Sequence, residues 1–255
     1  MSIHHPAGWV LVIYHLPLTV PPRQPMQKPR PYTPGLHRSA VRHLRRSDPV
    51  IGAVLSRFGP HRFELRTEGT HFDAIARAIV SQQLSVKAAA TIHGRFRALY
   101  EAAGGEARSM TSITDERLRE AGLSHQKIAY IRDLARHVDS GALDLERIDE
   151  MSDEELIARL TAVKGVGTWT AQMFLMFRLG RADVLPTLDL GIQKAIQRAY
   201  GLRKLPTAIR MEKLGRSWAP YRTIACWYLW RSLDQPAISR RAPAARKKSK
   251  RSAKG

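Results

Sequence analysis

"LTAVKGVGTWTAQMF", residues 160–174, places two glycines around a single valine between two segments with helical spacing. Glycine lets the backbone take a positive φ and leaves its N–H groups uncovered. The first N–H groups of the following helix also lack intrahelical partners, so such a turn can bind a phosphate group. A Gly-x-Gly turn can equally be a plain connector between packed helices. The stretch alone therefore predicts a helical hairpin and leaves its role open.

The segments on either side of this hairpin also have a helical pattern. Apolar residues recur at helical spacing from Phe72 to Val80, and Ser85 and Ser124 precede further segments of the same kind. Serine is a preferred N-cap residue, because its side chain accepts a hydrogen bond from a free backbone amide of the helix. Strand-like alternation is sparse. The sequence therefore predicts an all-α protein.

Positive charge is concentrated at the two ends of the chain. The 255 residues carry a formal net charge of +20, with seven Lys/Arg and no Asp/Glu in residues 1–47, and eight and none in residues 240–255. Residues 48–239 retain a net charge of only +5. We interpret 1–47 as a basic Pro/Arg-rich extension that is disordered in part, 48–239 as the working domain and 240–255 as a basic disordered tail. Such a chain attracts polyanions such as nucleic acid, although charged tails can also be merely solvated.

Two features of composition exclude whole classes of protein. The single cysteine, Cys226, rules out an internal disulfide and a four-cysteine zinc or iron–sulfur site, and it favours a reducing compartment. The most apolar stretch, residues 8–20, is too short to cross a bilayer and lacks the flanking features of a signal peptide. We therefore expect no membrane association.

An aspartate stands at the start of a helix downstream of the hairpin. In "RADVLPTLDLGIQKAIQRAYG", residues 181–201, the apolar positions that follow Asp189 have helical spacing. The commonest role of aspartate at such a place is an N-cap. This segment alone does not distinguish a capping role from a chemical one.

The order of these features resembles a known family. A hairpin, a Gly/Pro-containing loop and an aspartate at a helix start form the signature of the helix–hairpin–helix–Gly/Pro–Asp superfamily of DNA glycosylases. Three further segments resemble its 3-methyladenine DNA glycosylase branch: "AIVSQQLSVKAA" (78–89), "GLSHQKIAYIRDLA" (122–135) and "PYRTIACWYLWRS" (220–232). The resemblance covers about residues 48–233. It implies two helical lobes with a cleft between them, a central lobe of about 71–181 and a second lobe of 48–70 plus 182–239.

The resemblance implies that Asp189 is the catalytic residue. Cleaving an N-glycosidic bond builds positive charge on the deoxyribose, which a carboxylate in a partly desolvated cleft stabilises. Many members of the branch have a second acidic residue just before the catalytic one, where this chain has Leu188. Members that also cut the strand use a lysine in the hairpin region, at the place of Trp169. We therefore expect a hydrolytic enzyme without lyase activity, organic cofactor or catalytic metal.

The resemblance also implies how the damaged base is held. A base must leave the duplex before its glycosidic bond can be reached, and aromatic side chains hold it by stacking. N-alkylated purines are cationic, so an indole face attracts them. By position, Trp169, Trp227 and Met173 form the base pocket, Gln83 is the wedge that fills the hole in the duplex, and Gln82 supports it. The alternative roles are core packing for the aromatic residues and helix capping for the two glutamines.

By the same resemblance, the hairpin grips one DNA phosphate. The expected contacts are Lys164, Gly165, Val166, Gly167, Thr168 and Thr170. The carbonyl groups of Thr161, Val163 and Val166 are the expected ligands of a structural Na⁺ or K⁺ ion. Further candidates for polar contacts with the DNA backbone are Ser81, Ser85, Lys194 and Arg222.

The sequence thus predicts a monofunctional glycosylase of base excision repair. We expect it to act as a monomer on double-stranded DNA that carries alkylated bases of the 3-methyladenine and 7-methylguanine type. We expect an intracellular location, in the cytoplasm with the bacterial nucleoid or in a eukaryotic nucleus. Two alternatives remain: a damaged-DNA-binding module without turnover, and a glycosylase with a different lesion specificity.

Overall fold

A computed structural model describes residues 32–58 and 63–234. These residues form eleven α-helices, three short 3₁₀ helices and no strand, which confirms the all-α class. The α-helices are α1 (Pro34–Ser47), α2 (Pro49–Arg57), α3 (His71–Ser81), α4 (Val86–Ala102), α5 (Asp115–Glu120), α6 (His125–Asp139), α7 (Asp153–Ala162), α8 (Thr168–Phe177), α9 (Leu190–Tyr200), α10 (Ala208–Gly215) and α11 (Arg222–Leu233). The 3₁₀ helices are Ala107–Ser112, Ile148–Glu150 and Arg216–Trp218.

The predicted capping residues begin these helices. The side chain of Ser85 accepts a hydrogen bond from Ala88 N at the start of α4, and that of Ser124 accepts one from Lys127 N at the start of α6, both at 3.3 Å. Each bond satisfies one of the backbone amides that the first turn leaves without a partner. The local signals in the sequence therefore determine where these helices start.

The helices divide into two lobes. In the central lobe, α3 packs against α4, α6 and α8, and α7 packs against α8. In the second lobe, α11 packs against α1, α2 and α9. Arg178, just after α8, holds the connection between the lobes, because its guanidinium donates to the carbonyl groups of Arg66, Glu68 and Gly69. This arrangement confirms the two-lobed helical fold that the resemblance implies.

The domain begins earlier than predicted. Residues 34–47, expected to belong to the extension, form α1 of the second lobe, with Thr33 as N-cap and Pro34 in its first turn. Ala40 and Leu44 of this helix are fully buried in the core. The predicted boundary at residue 48 is therefore wrong. The many arginines of this segment suggested a disordered extension, whereas only a few buried residues on one side of α1 attach it to the core. Residues 1–31 and 235–255, which include the apolar stretch 8–20 and the predicted tail, lie outside the described residues.

One buried carboxylate, that of Asp48, holds the second lobe together. Its Oδ1 caps α2 by accepting from Val50 N at 2.9 Å and Ile51 N at 3.1 Å. Its Oδ2 accepts from Tyr200 Oη at 2.5 Å and from Trp218 Nε1 at 3.0 Å. Burial by itself raises the pKa of Asp48, but the hydrogen bonds to Tyr200, Trp218 and the two amides outweigh it, so the pKa is lowered. Asp48 thus joins α2, α9 and the 3₁₀ helix before α11.

We predict that Asp48→Asn destabilises the fold by about 3 kcal/mol at neutral pH, because an amide group faces donors that need an acceptor. A lowered pKa means that ionised Asp48 contributes stability above its unfolded pKa of about 3.9, and that this contribution is lost as the pH falls through the folded value. The variant should therefore lose less stability than the wild type on acidification. Urea denaturation followed by circular dichroism between neutral and acidic pH measures both effects. Asp139→Asn, at an exposed residue of α6, is the matched control, and equal stability of the two variants would contradict the prediction.

Candidate active site

Asp189 lies where the two lobes meet. Its Oδ1 accepts from Ile192 N at 2.7 Å, which makes it the N-cap of α9. Its Oδ2 accepts from Trp169 Nε1 of the central lobe at 2.7 Å, and Oδ1 also accepts from Trp230 Nε1 at 2.9 Å. The residue is only 9% exposed. The capping interpretation of Asp189 is therefore correct, but the same carboxylate is also held between two tryptophans.

Trp230 is the residue that sequence reasoning missed. It lies three positions after Trp227 on α11, and the sequence does not show which aromatic residue of this helix faces Asp189. Gly191 supplies the one local signal, because a Cβ there would lie 3.0 Å from Asp189 Oδ1 and from the Trp230 indole. Its missing side chain leaves room for the indole to reach the carboxylate. Tyr228, between the two tryptophans, is buried in the core.

Trp227 belongs to an aromatic cluster that extends away from Trp230. The Trp230 ring lies 5.8 Å from that of Phe177, which stacks on Phe63 at 5.4 Å. Phe63 meets Trp227 edge to face at 6.3 Å, and the Arg231 guanidinium lies 5.7 Å from the Trp227 ring. No hydrogen bond joins Trp227 to Asp189 in the described structure. Met173, one turn after Trp169 on α8, is partly buried against the core. Base-pocket roles for Trp227 and Met173 remain predictions.

An apolar rim surrounds the Asp189 carboxylate. Leu188 is 65% exposed, Leu190 52% and Trp169 46%, although all three side chains are large and apolar. Exposed apolar side chains grouped around a buried polar residue indicate a binding surface.

The two glycines of the hairpin serve different purposes. Gly165 has a φ of +81°, and a Cβ there would lie 2.1 Å from the Tyr130 ring. Glycine is thus required by both the backbone conformation and the close approach. Gly167 is the N-cap of α8 with an ordinary φ of −87°, and a Cβ there would meet nothing within 4 Å. The absence of a side chain at 167 therefore serves no packing need inside the protein.

The turn presents free backbone amides to solvent. In the part of the chain that the structure describes, the N–H groups of Gly165, Gly167 and Thr168 have no hydrogen-bond acceptor. Gly167 provides no side-chain cap, so the positive end of α8 is open and suited to an anion. Lys164 has an exposed side chain, while its amide donates to Asp133 Oδ2 at 2.8 Å. Free amides at a helix start can bind an anion. Of the other predicted phosphate contacts, Val166 is buried and Thr170 lies in the first turn of α8.

Helix α6 lies beneath this turn and beneath the Gln82–Gln83 turn. Lys127 Nζ donates to Val80 O at 2.7 Å and to Gln82 O at 2.8 Å. Gln82 Nε2 in turn donates to Gly165 O at 2.7 Å. The side chain of Gln82 thus joins the two turns and does not cap a helix. Gln83 is exposed, with a left-handed φ of 58° that is uncommon for a residue with a Cβ. We name the surface formed by these two turns and the start of α9 the hairpin face.

The other candidates for contacts with DNA either have partners within the protein or are exposed. Arg222 makes a two-pronged ion pair with Asp183 at 2.7 and 2.8 Å, in an interlobe groove of about 900 Å³ whose lining does not include Asp189. Ser81 Oγ donates to Arg77 O at 2.7 Å. Lys194 is exposed on α9. Val163 O, one of the expected cation ligands, accepts from Val166 N at 3.1 Å. The cation site with Thr161 remains a prediction.

Two searches of the described residues gave negative results. No group of three or more His, Cys, Asp or Glu side chains there is arranged to hold a metal ion. Within the same residues, no helix combines the length and the apolar character needed to cross a membrane.

Fold and site define a helix–hairpin–helix protein with a buried carboxylate beside the hairpin. The model of the HhH-GPD superfamily of base excision DNA repair proteins matches residues 76–220, and the chain belongs to this family. DNA-3-methyladenine glycosylase 1 of Schizosaccharomyces pombe is 38% identical over 165 residues, which is 63% of this chain and 72% of that protein.

Two solved structures are also similar. The crystal structure of a DNA-3-methyladenine glycosidase from Bacillus halodurans has a TM-score of 0.69 and 38% identity, covering 76% of this chain and 88% of that one. The S. pombe 3-methyladenine DNA glycosylase in complex with abasic DNA has a TM-score of 0.68 and 33% identity, covering 79% of this chain and 99% of that one. These likenesses confirm the family that the sequence predicts.

We predict opposite outcomes for alanine at the two hairpin glycines. Gly165→Ala combines a positive φ with a clash against Tyr130 and should lower the free energy of unfolding by about 3 kcal/mol. Gly167→Ala should cost about 1 kcal/mol or less, the difference between glycine and alanine at an N-cap. Urea denaturation of the two variants measures this. Equal losses would mean that the turn is not built as described.

We predict that Lys127→Met loosens the Gln82–Gln83 turn, because the carbonyl groups of Val80 and Gln82 lose their shared donor. Hydrogen–deuterium exchange of the peptide that spans residues 81–86 should become faster than in the wild type. Lys87→Met, at an exposed position next to the same turn, is the matched control and should leave exchange unchanged. Equal exchange in both variants and the wild type would show that Lys127 does not hold the turn.

Proposed function

We propose that this protein is a monofunctional DNA glycosylase that excises alkylated bases, of the 3-methyladenine and 7-methylguanine type, from double-stranded DNA. The observation that carries the proposal is the buried Asp189 carboxylate, held by Trp169 and Trp230 beside a hairpin with free amides. The relatives from S. pombe and B. halodurans carry the names of 3-methyladenine glycosylases, which supports the substrate class. Hydrolysis leaves a free base and an abasic site.

Asp189 stabilises the transition state by electrostatics. As the N-glycosidic bond breaks, the deoxyribose ring becomes positively charged, and the carboxylate opposes that charge. Three donors from three elements fix the carboxylate before the substrate arrives. A preorganised group of this kind contributes about 3–4 kcal/mol to catalysis. Water attacks the sugar carbon that the base leaves, and Asp189 is placed to orient it.

Trp169 links the catalytic group to the base. Its indole N–H is engaged by Asp189 while the side chain remains 46% exposed, so part of the indole can face an extruded base. An N-alkylated purine is cationic, and its attraction to an indole face contributes about 0.5–2 kcal/mol. Leu188 and Leu190 flank Asp189 with exposed apolar side chains. Trp169 also occupies the place of the strand-cutting lysine, which is why we propose hydrolysis without a covalent amine intermediate.

The hairpin face grips the DNA. The open end of α8, with its free amides at Gly165, Gly167 and Thr168, receives one backbone phosphate. Gln83, fixed by its neighbour Gln82 on the hairpin, enters the duplex as the base leaves. The carbonyl groups of Thr161, Val163 and Val166 would hold a monovalent cation, whose charge would stabilise the turn. We propose that the protein acts as a monomer inside the cell, on the DNA of a bacterial nucleoid or of a eukaryotic nucleus.

We predict that Asp189→Asn lowers base release by about a hundredfold or more while DNA binding changes little. Asparagine is also a good N-cap, so α9 keeps its start through one oxygen, while the charge and one of the two acceptor oxygens are lost. Single-turnover release of 7-methylguanine from a duplex measures the first effect, and fluorescence anisotropy with a duplex that carries an abasic-site analogue measures the second. Asp139→Asn is the control. Base release near the wild-type rate in Asp189→Asn would refute the mechanism.

The same assay on a panel of alkylated and deaminated bases tests the substrate class. Release of uracil or hypoxanthine alone would refute the assignment to alkylated bases, and absence of any release would favour a binding module. A covalent DNA adduct trapped by borohydride would refute the monofunctional mechanism.

A further inference from the structure

Helix α1 has a strongly basic outer face. Arg38, Arg42, Arg45 and Arg46 are exposed, and at 100° per residue they fall within an arc of about 100°. Ala40 and Leu44 are buried on the opposite side. Among the described residues, none of the four arginines takes part in an ion pair, and α1 itself has no acidic residue. We name these four residues the α1 arginine face.

A shallow depression lies beside this face. Its lining consists of Ser39, Arg42, His43, Arg46 and Ser47, and its volume is about 300 Å³. Ser47 Oγ is buried there without a hydrogen-bond partner among the described residues. The guanidinium groups of Arg42 and Arg46, with no carboxylate among the lining residues, suit the oxygen atoms of a phosphate.

The α1 arginine face lies away from the hairpin face. Helix α9 starts at the hairpin face with Asp189 as its cap and ends at Tyr200, about 16 Å away for eleven residues. Tyr200 contacts Asp48, which directly follows α1. At its other end, Leu36 of α1 lines the interlobe groove together with Ser152, the N-cap of α7. That groove also reaches Gln172 and Thr187, so the separation rests on the C-terminal half of α1, which carries Arg42, Arg45 and Arg46 and ends beside the Asp48–Tyr200 contact.

We propose that the α1 arginine face binds the phosphate backbone of a second DNA duplex while the hairpin face holds the first. The partner is the polymer that the family acts on, and every segment of that polymer offers the same phosphates. Such contacts are electrostatic and independent of sequence. With two faces, the protein can bind a new segment before it releases the old one. This inference depends on the proposed function only for the choice of DNA as the polyanion.

Transfer between duplexes tests the proposal. The full chain is bound to a labelled short duplex with an abasic-site analogue and is mixed with increasing amounts of an unlabelled undamaged duplex. A protein with one binding face dissociates at a rate that does not depend on the competitor, whereas a second face makes the rate rise with competitor concentration. We expect this rise for the wild type, and a decrease of about tenfold in its slope for the double variant Arg42→Glu/Arg46→Glu, because phosphate contacts are lost and the charge is reversed.

Two further double variants control for a general effect of charge and for misfolding. Arg95→Glu/Arg117→Glu makes the same charge change at exposed residues of α4 and α5 outside both faces, and it should retain the wild-type slope. Arg42→Gln/Arg46→Gln gives a second reading if the glutamate variant does not fold, as judged by circular dichroism. A wild-type rate that is independent of competitor, or the same slope in all variants, would refute the second face. Base release from a single short duplex is measured in parallel, so that failure of the proposed function is seen separately.

Discussion

The hydrogen bond from Trp169 to Asp189 joins the two lobes at the point where the chemistry is expected. Trp169 belongs to α8 of the central lobe, whereas Asp189 caps α9 and Trp230 belongs to α11, both in the second lobe. A buried carboxylate without partners costs several kcal/mol, so its donors must stay in place for the fold to be stable. The position of the lobes relative to each other therefore depends on the same group that the reaction needs.

In the central lobe, one helix supports both of the turns that form the hairpin face. Helix α6 sends Lys127 to the Gln82–Gln83 turn, places Tyr130 under Gly165 and uses Asp133 to hold the amide of Lys164. These contacts lie on one side of α6, three residues apart, because that spacing returns to nearly the same helical face. Two loops that are far apart in sequence thus share one rigid support. Loops that bind a ligand gain precision from a scaffold of this kind.

The second lobe uses another carboxylate for a structural purpose. Asp48 and Asp189 both cap a helix and both accept from a tryptophan. The indole bonded to Asp48 belongs to the fully buried Trp218, whereas Asp189 lies under the exposed Trp169 and beside Leu188. The same set of interactions therefore serves stability at one end of α9 and a reactive surface at the other, because only one of the two ends is open to a substrate.

The sequence by itself determined the features that depend on neighbouring residues. Serine caps, the glycine turn and an aspartate at a helix start are formed by atoms within a few positions of each other, so their pattern predicts the helices, the hairpin and Asp189. The tertiary structure alone decided that α1 belongs to the second lobe, that Trp230 and not Trp227 bonds to Asp189, and that Lys127 holds the Gln82 turn. Trp230 and Asp189 are 41 positions apart in the sequence, and Lys127 is 45 and 47 positions from its two acceptors in the Gln82 turn. The direction in which such side chains point is set by packing between helices, which no local pattern contains.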